Sequence, residues 1–180
     1  MEADIARSIG EHIGIVIIIG DAQVGKTNLM TRLTDNYFNL NYFPTSGADF
    51  MYKEVEINNI NLSLQVWDTG GQDRFASIFY SGADFFLFVY DITNRNSFEN
   101  VHGWYELIKI NEIPKKFEMM LIGNKIDLNK IREVTYEEGM LLAKKLGMYF
   151  LEVSNLSKNN IDDVLLLLAN NISIKYSNSI

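Results

Sequence analysis

The chain has 180 residues, 47% hydrophobic and 22% charged, enough for one domain with a full core. A net charge of −7 argues against non-specific nucleic-acid binding, which needs a basic surface. The absence of cysteine excludes disulfides, thiolate metal sites, catalytic thiols and lipid carried on sulfur.

The opening MEADIARSIGEH is polar and acidic, unlike a signal peptide, and residues 1–12 read as an N-terminal extension. Ile13 to Ile19 is a β-branched run, the pattern of a strand buried on both faces. A glycine-rich turn follows, then a helix from about Gly25 to Asp35. Residues 49–57 (DFMYKEVEI) and 61–68 (NLSLQVWD) both alternate around Asn58-Asn59, which predicts a hairpin. Buried runs recur at 85–90 (FFLFVY), 119–123 (MMLIG) and 148–153 (MYFLEV). Helical patterns at 97–110, about 135–146 and 159–171 separate and follow them. Ser97 and Thr135 are candidate N-caps, and Thr135-Tyr136-Glu137-Glu138 fits a capping box. No apolar run is long enough to span a membrane. This order predicts an α/β fold: six strands, mostly parallel with one antiparallel, and helices on both faces. Ligands of such sheets bind at the carboxyl ends of the strands.

Two polar motifs fall at those ends. Gly20-Asp21-Ala22-Gln23-Val24-Gly25-Lys26-Thr27 matches G-x-x-x-x-G-K-[ST] between a strand and a helix, the context the motif requires. Its N–H groups and the helix N-terminus would cradle a β-phosphate. Lys26 would reach the β- and γ-phosphates, and the Thr27 hydroxyl would ligate Mg²⁺. Asn124-Lys125-Ile126-Asp127 closes the strand MMLIG. A carboxylate at Asp127 can accept from N1–H and the 2-amino group of guanine. Adenine offers neither donor, so the site would discriminate.

Together these motifs resemble the Ras superfamily of small GTPases, and the Rab family most closely. Rab-like stretches include SGADF at 46–50, YKEVEI at 52–57, LQVWDTGGQDRF at 64–75 and IGNKIDL at 122–128. The resemblance implies a single G domain that binds GTP and GDP with Mg²⁺, hydrolyses GTP slowly and cycles its partners. It implies catalytic roles for Gln72, which orients water, and for Lys26 and Thr45. Thr27, Thr45 and Asp68 are the implied metal residues. Phe38 stacks edge-on against guanine, the Lys125 stem lies on its other side, and the Gly71 N–H bonds the γ-phosphate. The implied nucleotide-binding set also holds Ala22, Gln23, Val24, Gly25, Asn28, Tyr42, Asn124, Asp127, Leu128, Ser154, Asn155 and Leu156. Phe50, Trp67 and Phe79 occupy the positions of an exposed aromatic triad that meets effectors; the alternative is ordinary sheet aromatics. Implied partners are effectors, exchange factors and GTPase-activating proteins, in vesicle trafficking, with no nucleic acid. The expected location is cytoplasmic. A lipidated tail would make the protein peripheral to a membrane, but residues 173–180, which read as a C-terminal tail, end KYSNSI without cysteine.

The departures from the family pattern are specific. Gln23 stands where a small residue is common. Gly70 replaces the usual Ala, which adds backbone freedom. Ser154-Asn155-Leu156 replaces Ser-Ala-Lys; the key contact there is a backbone N–H, which Asn155 retains. Three residues, nearly one helical turn, are missing between Arg74-Phe75 and Phe79-Tyr80. Gln72 favours a working hydrolase. Gln23 and the shortened segment favour a pseudo-GTPase that holds nucleotide with negligible turnover. An ATP-dependent small kinase is disfavoured by Asp127 and by the lack of an arginine-rich lid segment. His12 and His102 are too isolated for a metal site. Met119-Met120, Trp104 and Leu165 to Leu168 read as core packing.

Overall fold

The computed structural model describes residues 12–40, 47–70, 80–111, 113 and 116–177. Among them, six strands form one sheet: β1 (His12–Ile19), β2 (Asp49–Ile57), β3 (Ile60–Asp68), β4 (Phe85–Asp91), β5 (Glu118–Asn124) and β6 (Tyr149–Glu152). The order is β2-β3-β1-β4-β5-β6. Only the β2–β3 pair is antiparallel. Asn58 and Asn59 turn that hairpin, with Ile57 paired to Ile60 and both asparagines at left-handed φ, 52° and 60°. A two-residue turn of the primed type requires that conformation, and asparagine tolerates it.

Successive residues of the central strands feed opposite layers, as a period of two dictates. Val16, Ile18, Leu87 and Val89 pack on one face with Leu29, Met30 and Leu33 of α1 (Lys26–Asp35). On the other face Ile17, Ile19, Phe86 and Phe88 meet Val101 and Ile108. All seven residues of β4 are buried, each large side chain contributing roughly 1.5–3 kcal/mol.

The predicted helix at 97–110 begins earlier, as α2 (Arg95–Glu99), and continues through Asn100 into α3 (Val101–Ile110). Ser97 is not the N-cap. Asn94 takes that place, its side chain accepting from the Ser97 N–H at 3.2 Å. Ser97 is fully buried, and its Oγ accepts from the Asp91 N–H at 3.0 Å. Thr135 does cap α4 (Tyr136–Leu146), and both bonds of its box with Glu138 are present. The last helix, α5 (Ile161–Ser177), runs past residue 171 into the stretch read as a tail. Bonds to β1 and to the residue just before β4 explain this: Lys175 Nζ lies 2.9 Å from Asp84 Oδ1, and the Tyr176 hydroxyl donates to Ile13 O. Leu165 to Leu168 is not uniformly buried. Four consecutive helical residues point round the axis, so Leu168 is enclosed while Leu166 is 56% exposed. Among the described residues no helix is long and apolar enough to cross a membrane.

Candidate nucleotide-binding site

Two crossovers end side by side at the carboxyl edge of the sheet. After β1 the chain turns through Gly20 to Gly25, and α1 starts with no side-chain cap, leaving its first N–H groups facing the loop. Gln23 holds φ at 66°, a left-handed conformation that is uncommon for a residue with a Cβ. Ala22 and Gln23 are exposed, and Val24 is buried. Lys26 is 5% exposed. Its ammonium donates to Gly20 O at 2.9 Å and to Asp21 O at 2.6 Å. Burial lowers its pKa, while Asp68 and Asp21 act in the opposite direction.

The parallel pairing of β1 and β3 sets Ile18 beside Asp68. That register brings the buried Asp68 to the start of α1, where Thr27 Oγ1 donates to its Oδ2 at 2.5 Å. Asp68 Oδ1 accepts from the Gly70 N–H at 3.1 Å. One hydroxyl and one carboxylate, both hard oxygen donors, therefore meet beside the lysine. Such a pair suits Mg²⁺, which uses few protein oxygens and completes its shell with phosphate and water.

On the other side, β5 delivers Asn124 and Lys125. The Asn124 amide donates to Val24 O at 2.8 Å, joining the second motif to the phosphate loop. The Lys125 ammonium pairs with Asp91 Oδ2 at 2.6 Å and donates to Gln23 O at 2.9 Å. The Asp127 carboxylate accepts from the buried Ser154 hydroxyl. Asn155 lies beneath, with its N–H 3.4 Å from Asn124 Oδ1. Leu128 and Leu156 are exposed at the rim. Phe38 is partly buried, its ring under the Arg32 guanidinium at 5.5 Å. The side chain of Asn28 is committed to Asn39, donating to its carbonyl at 3.1 Å and accepting from its N–H at 3.0 Å.

Phe50 and Trp67, paired across β2 and β3, stack at 4.5 Å, and Trp67 also packs against the core on the Ile17 and Ile19 side of the sheet. Phe50 is 40% exposed and Trp67 is partly buried. The indole N–H donates to Gln65 Oε1 at 3.0 Å, and Gln65 Nε2 donates to the Tyr52 hydroxyl at 2.8 Å. Tyr42, Thr45, Gly71, Gln72 and Phe79 lie outside the described residues, as does most of the shortened segment.

Several participants were not anticipated. Arg32 donates to Asn155 O at 2.6 Å and to Leu156 O at 3.0 Å; nothing local marks it. Asp91 did carry a signal, an acid ending a fully apolar strand at the ligand edge. Trp104 does more than pack, since its indole N–H donates to Asp21 Oδ1 at 2.7 Å, while Asn100 donates to Oδ2 at 2.7 Å.

Comparison with known proteins agrees with the motifs. The model of the Ras family matches residues 15–174. The Ras-related protein RABA5e of Arabidopsis thaliana is 40% identical over 176 residues, covering 94% of this chain and 80% of its own. The Ras-related protein Rab-13 of Canis lupus familiaris is 40% identical over 168 residues, 92% of this chain and 82% of its own. The Ras-related protein Rab-8B of Pongo abelii is 38% identical over the same length, 92% and 81% respectively.

Proposed function

The chain belongs to the Ras family of small GTPases and is Rab-like within it, and from that premise we propose that it is a slow GTP-hydrolysing switch of vesicle trafficking. Its two states would hold GTP and GDP, with effectors engaged in the first. The observation that carries this reading is the Asn124–Val24 bond, which fastens the base-reading motif to the phosphate loop as one site. In it, the N–H groups of residues 22–27 and Lys26 bind the phosphates. Asp127 accepts from guanine, with Ser154 steadying its carboxylate. Phe38 and the Lys125 stem flank the base.

Thr27 and Asp68, with Thr45, are the residues that would hold Mg²⁺; bound there, the ion would offset charge on the β- and γ-phosphates. Gly71 and Gln72 keep their sequence spacing from Asp68, and the three missing residues lie after them. The proposed consequence is a Gln72 present but loosely braced, with water less well oriented. A small misplacement can cost on the order of 100-fold in rate. Full speed would then need a partner that supplies an arginine, a gain of roughly 10³–10⁵. Phe50, Trp67 and Phe79 form the proposed effector surface. Exchange factors and GTPase-activating proteins are the proposed regulators. Cytoplasmic residence, with membrane contact only through a lipidated tail, is the corresponding proposal for location.

Titration of GTP, ATP and xanthosine triphosphate tests the base assignment. Wild type should prefer GTP strongly. Asp127→Asn should lose roughly 1.5–3 kcal/mol per charge-assisted bond and turn toward xanthosine, whose 2-oxo group accepts from the new amide. Equal affinity of wild type for GTP and ATP would overturn the guanine reading.

A further inference from the structure

Asn155 carries a side chain that base recognition through its backbone leaves unused. Its Nδ2 donates to Gly25 O at 2.9 Å. The Asn124 amide takes the neighbouring carbonyl, Val24 O, at 2.8 Å. Two amides from the two base-reading loops thus sit on consecutive carbonyls of the phosphate loop. Gly25 O also accepts the Leu29 N–H at 2.9 Å, so both of its acceptor positions are used. The fit has little slack. A Cβ at Gly25 would lie 2.4 Å from Asn124 Nδ2 and 3.1 Å from Asn155 Nδ2.

This arrangement carries a penalty. Asn155 is 3% exposed, and its Oδ1 finds no hydrogen-bond partner among the described residues. Turning the amide over would set Oδ1 against the Gly25 carbonyl, so the Gly25 bond fixes its orientation. A buried acceptor without a partner is destabilising, and an alanine here would avoid it. Stability alone therefore does not account for the asparagine. Arg32 holds the same segment from α1, through Asn155 O and Leu156 O.

The geometry points to Asn155 as a latch: a positioning residue whose amide fastens the purine-reading loop to the phosphate loop and slows nucleotide release. The inference rests on the guanine-nucleotide reading above. A nucleotide gripped at base and phosphate leaves when either grip opens. Cross-bonding the two makes them open together.

Release of a fluorescent GDP analogue from the full chain, in Mg²⁺, tests this. Asn155→Ala should release it about 3–10 times faster, the factor expected for one net hydrogen bond. The nucleotide-free thermal midpoint should hold or rise, because the orphaned acceptor is gone. Asn155→Asp keeps the shape but loses the donor, and should release at least as fast as Asn155→Ala. Unchanged release in both variants, or a nucleotide-free midpoint that falls in Asn155→Ala, would make Asn155 a packing residue and overturn the latch. A wild type that retains no GDP analogue would overturn the guanine reading, and the latch with it.

Discussion

Lys125 Nζ lies 2.6 Å from Asp91 Oδ2, so the side chain proposed to flank the base is anchored by an acid at the end of the neighbouring strand. Asp91 is itself fixed, its other oxygen accepting from the Thr93 N–H at 2.8 Å and the Thr93 hydroxyl at 2.7 Å. The same ammonium reaches Gln23 O. Base side, phosphate loop and β4 therefore meet at one lysine.

Removing the charge at Asp91 should loosen that lysine without touching the nucleotide directly. Asp91→Asn keeps the shape and should weaken GDP binding about tenfold, roughly 1.4 kcal/mol, just under the range for a bond to a charged partner because Gln23 O still holds the lysine. Equilibrium titration measures it. An affinity equal to wild type would show that Gln23 O alone suffices to hold Lys125.

The Phe50–Trp67 pair makes a separate prediction. Trp67→Ala should abolish GTP-dependent capture of an effector while leaving nucleotide affinity within about twofold, since the indole stacks on Phe50 and donates to Gln65, neither of them a proposed nucleotide contact. A fall mainly in melting temperature, with capture intact, would assign Trp67 to packing.

Acid stability should report the α4 cap. The Arg95 guanidinium bonds Glu138 at 2.7 and 3.1 Å. It holds the carboxyl at about 2, below its ordinary 4.5, with the Thr135 N–H adding to the effect. A depressed folded pKa gives stability that is complete above about 4.5 and lost as pH falls toward 2, because the unfolded chain takes up the proton first. The pair is partly exposed, so salt should weaken the effect. Unfolding midpoints from pH 5 to 2.5 should fall less steeply in Glu138→Gln than in wild type. Parallel slopes would show that the pair adds nothing.

Features fixed by neighbouring residues were legible in sequence, and those fixed by distant approaches were not. Asn58-Asn59 and Thr135–Glu138 are complete within two and four residues, and both formed as expected. Ser97 misled because Asn94, three residues earlier, also caps, and only the buried setting of Ser97 beside Asp91 decides between them. The α5 end moved because Lys175 and Tyr176 bond to Asp84 and Ile13, far earlier in the chain. The motif residues stand out in sequence as types at spacings, those that the proposed phosphate and guanine recognition would demand. Their supports, Arg32, Asp91 and the Asn155 amide, act across the fold and leave little or no local mark.

Single-turnover hydrolysis of GTP by wild type and Gln72→Leu tests the central claim most directly. A working switch predicts slow but measurable phosphate release by wild type, falling at least tenfold in Gln72→Leu, with GTP affinity retained in both. Identical rates would mean that Gln72 does not position water, and the protein would then be a guanine-nucleotide-binding module rather than a hydrolase.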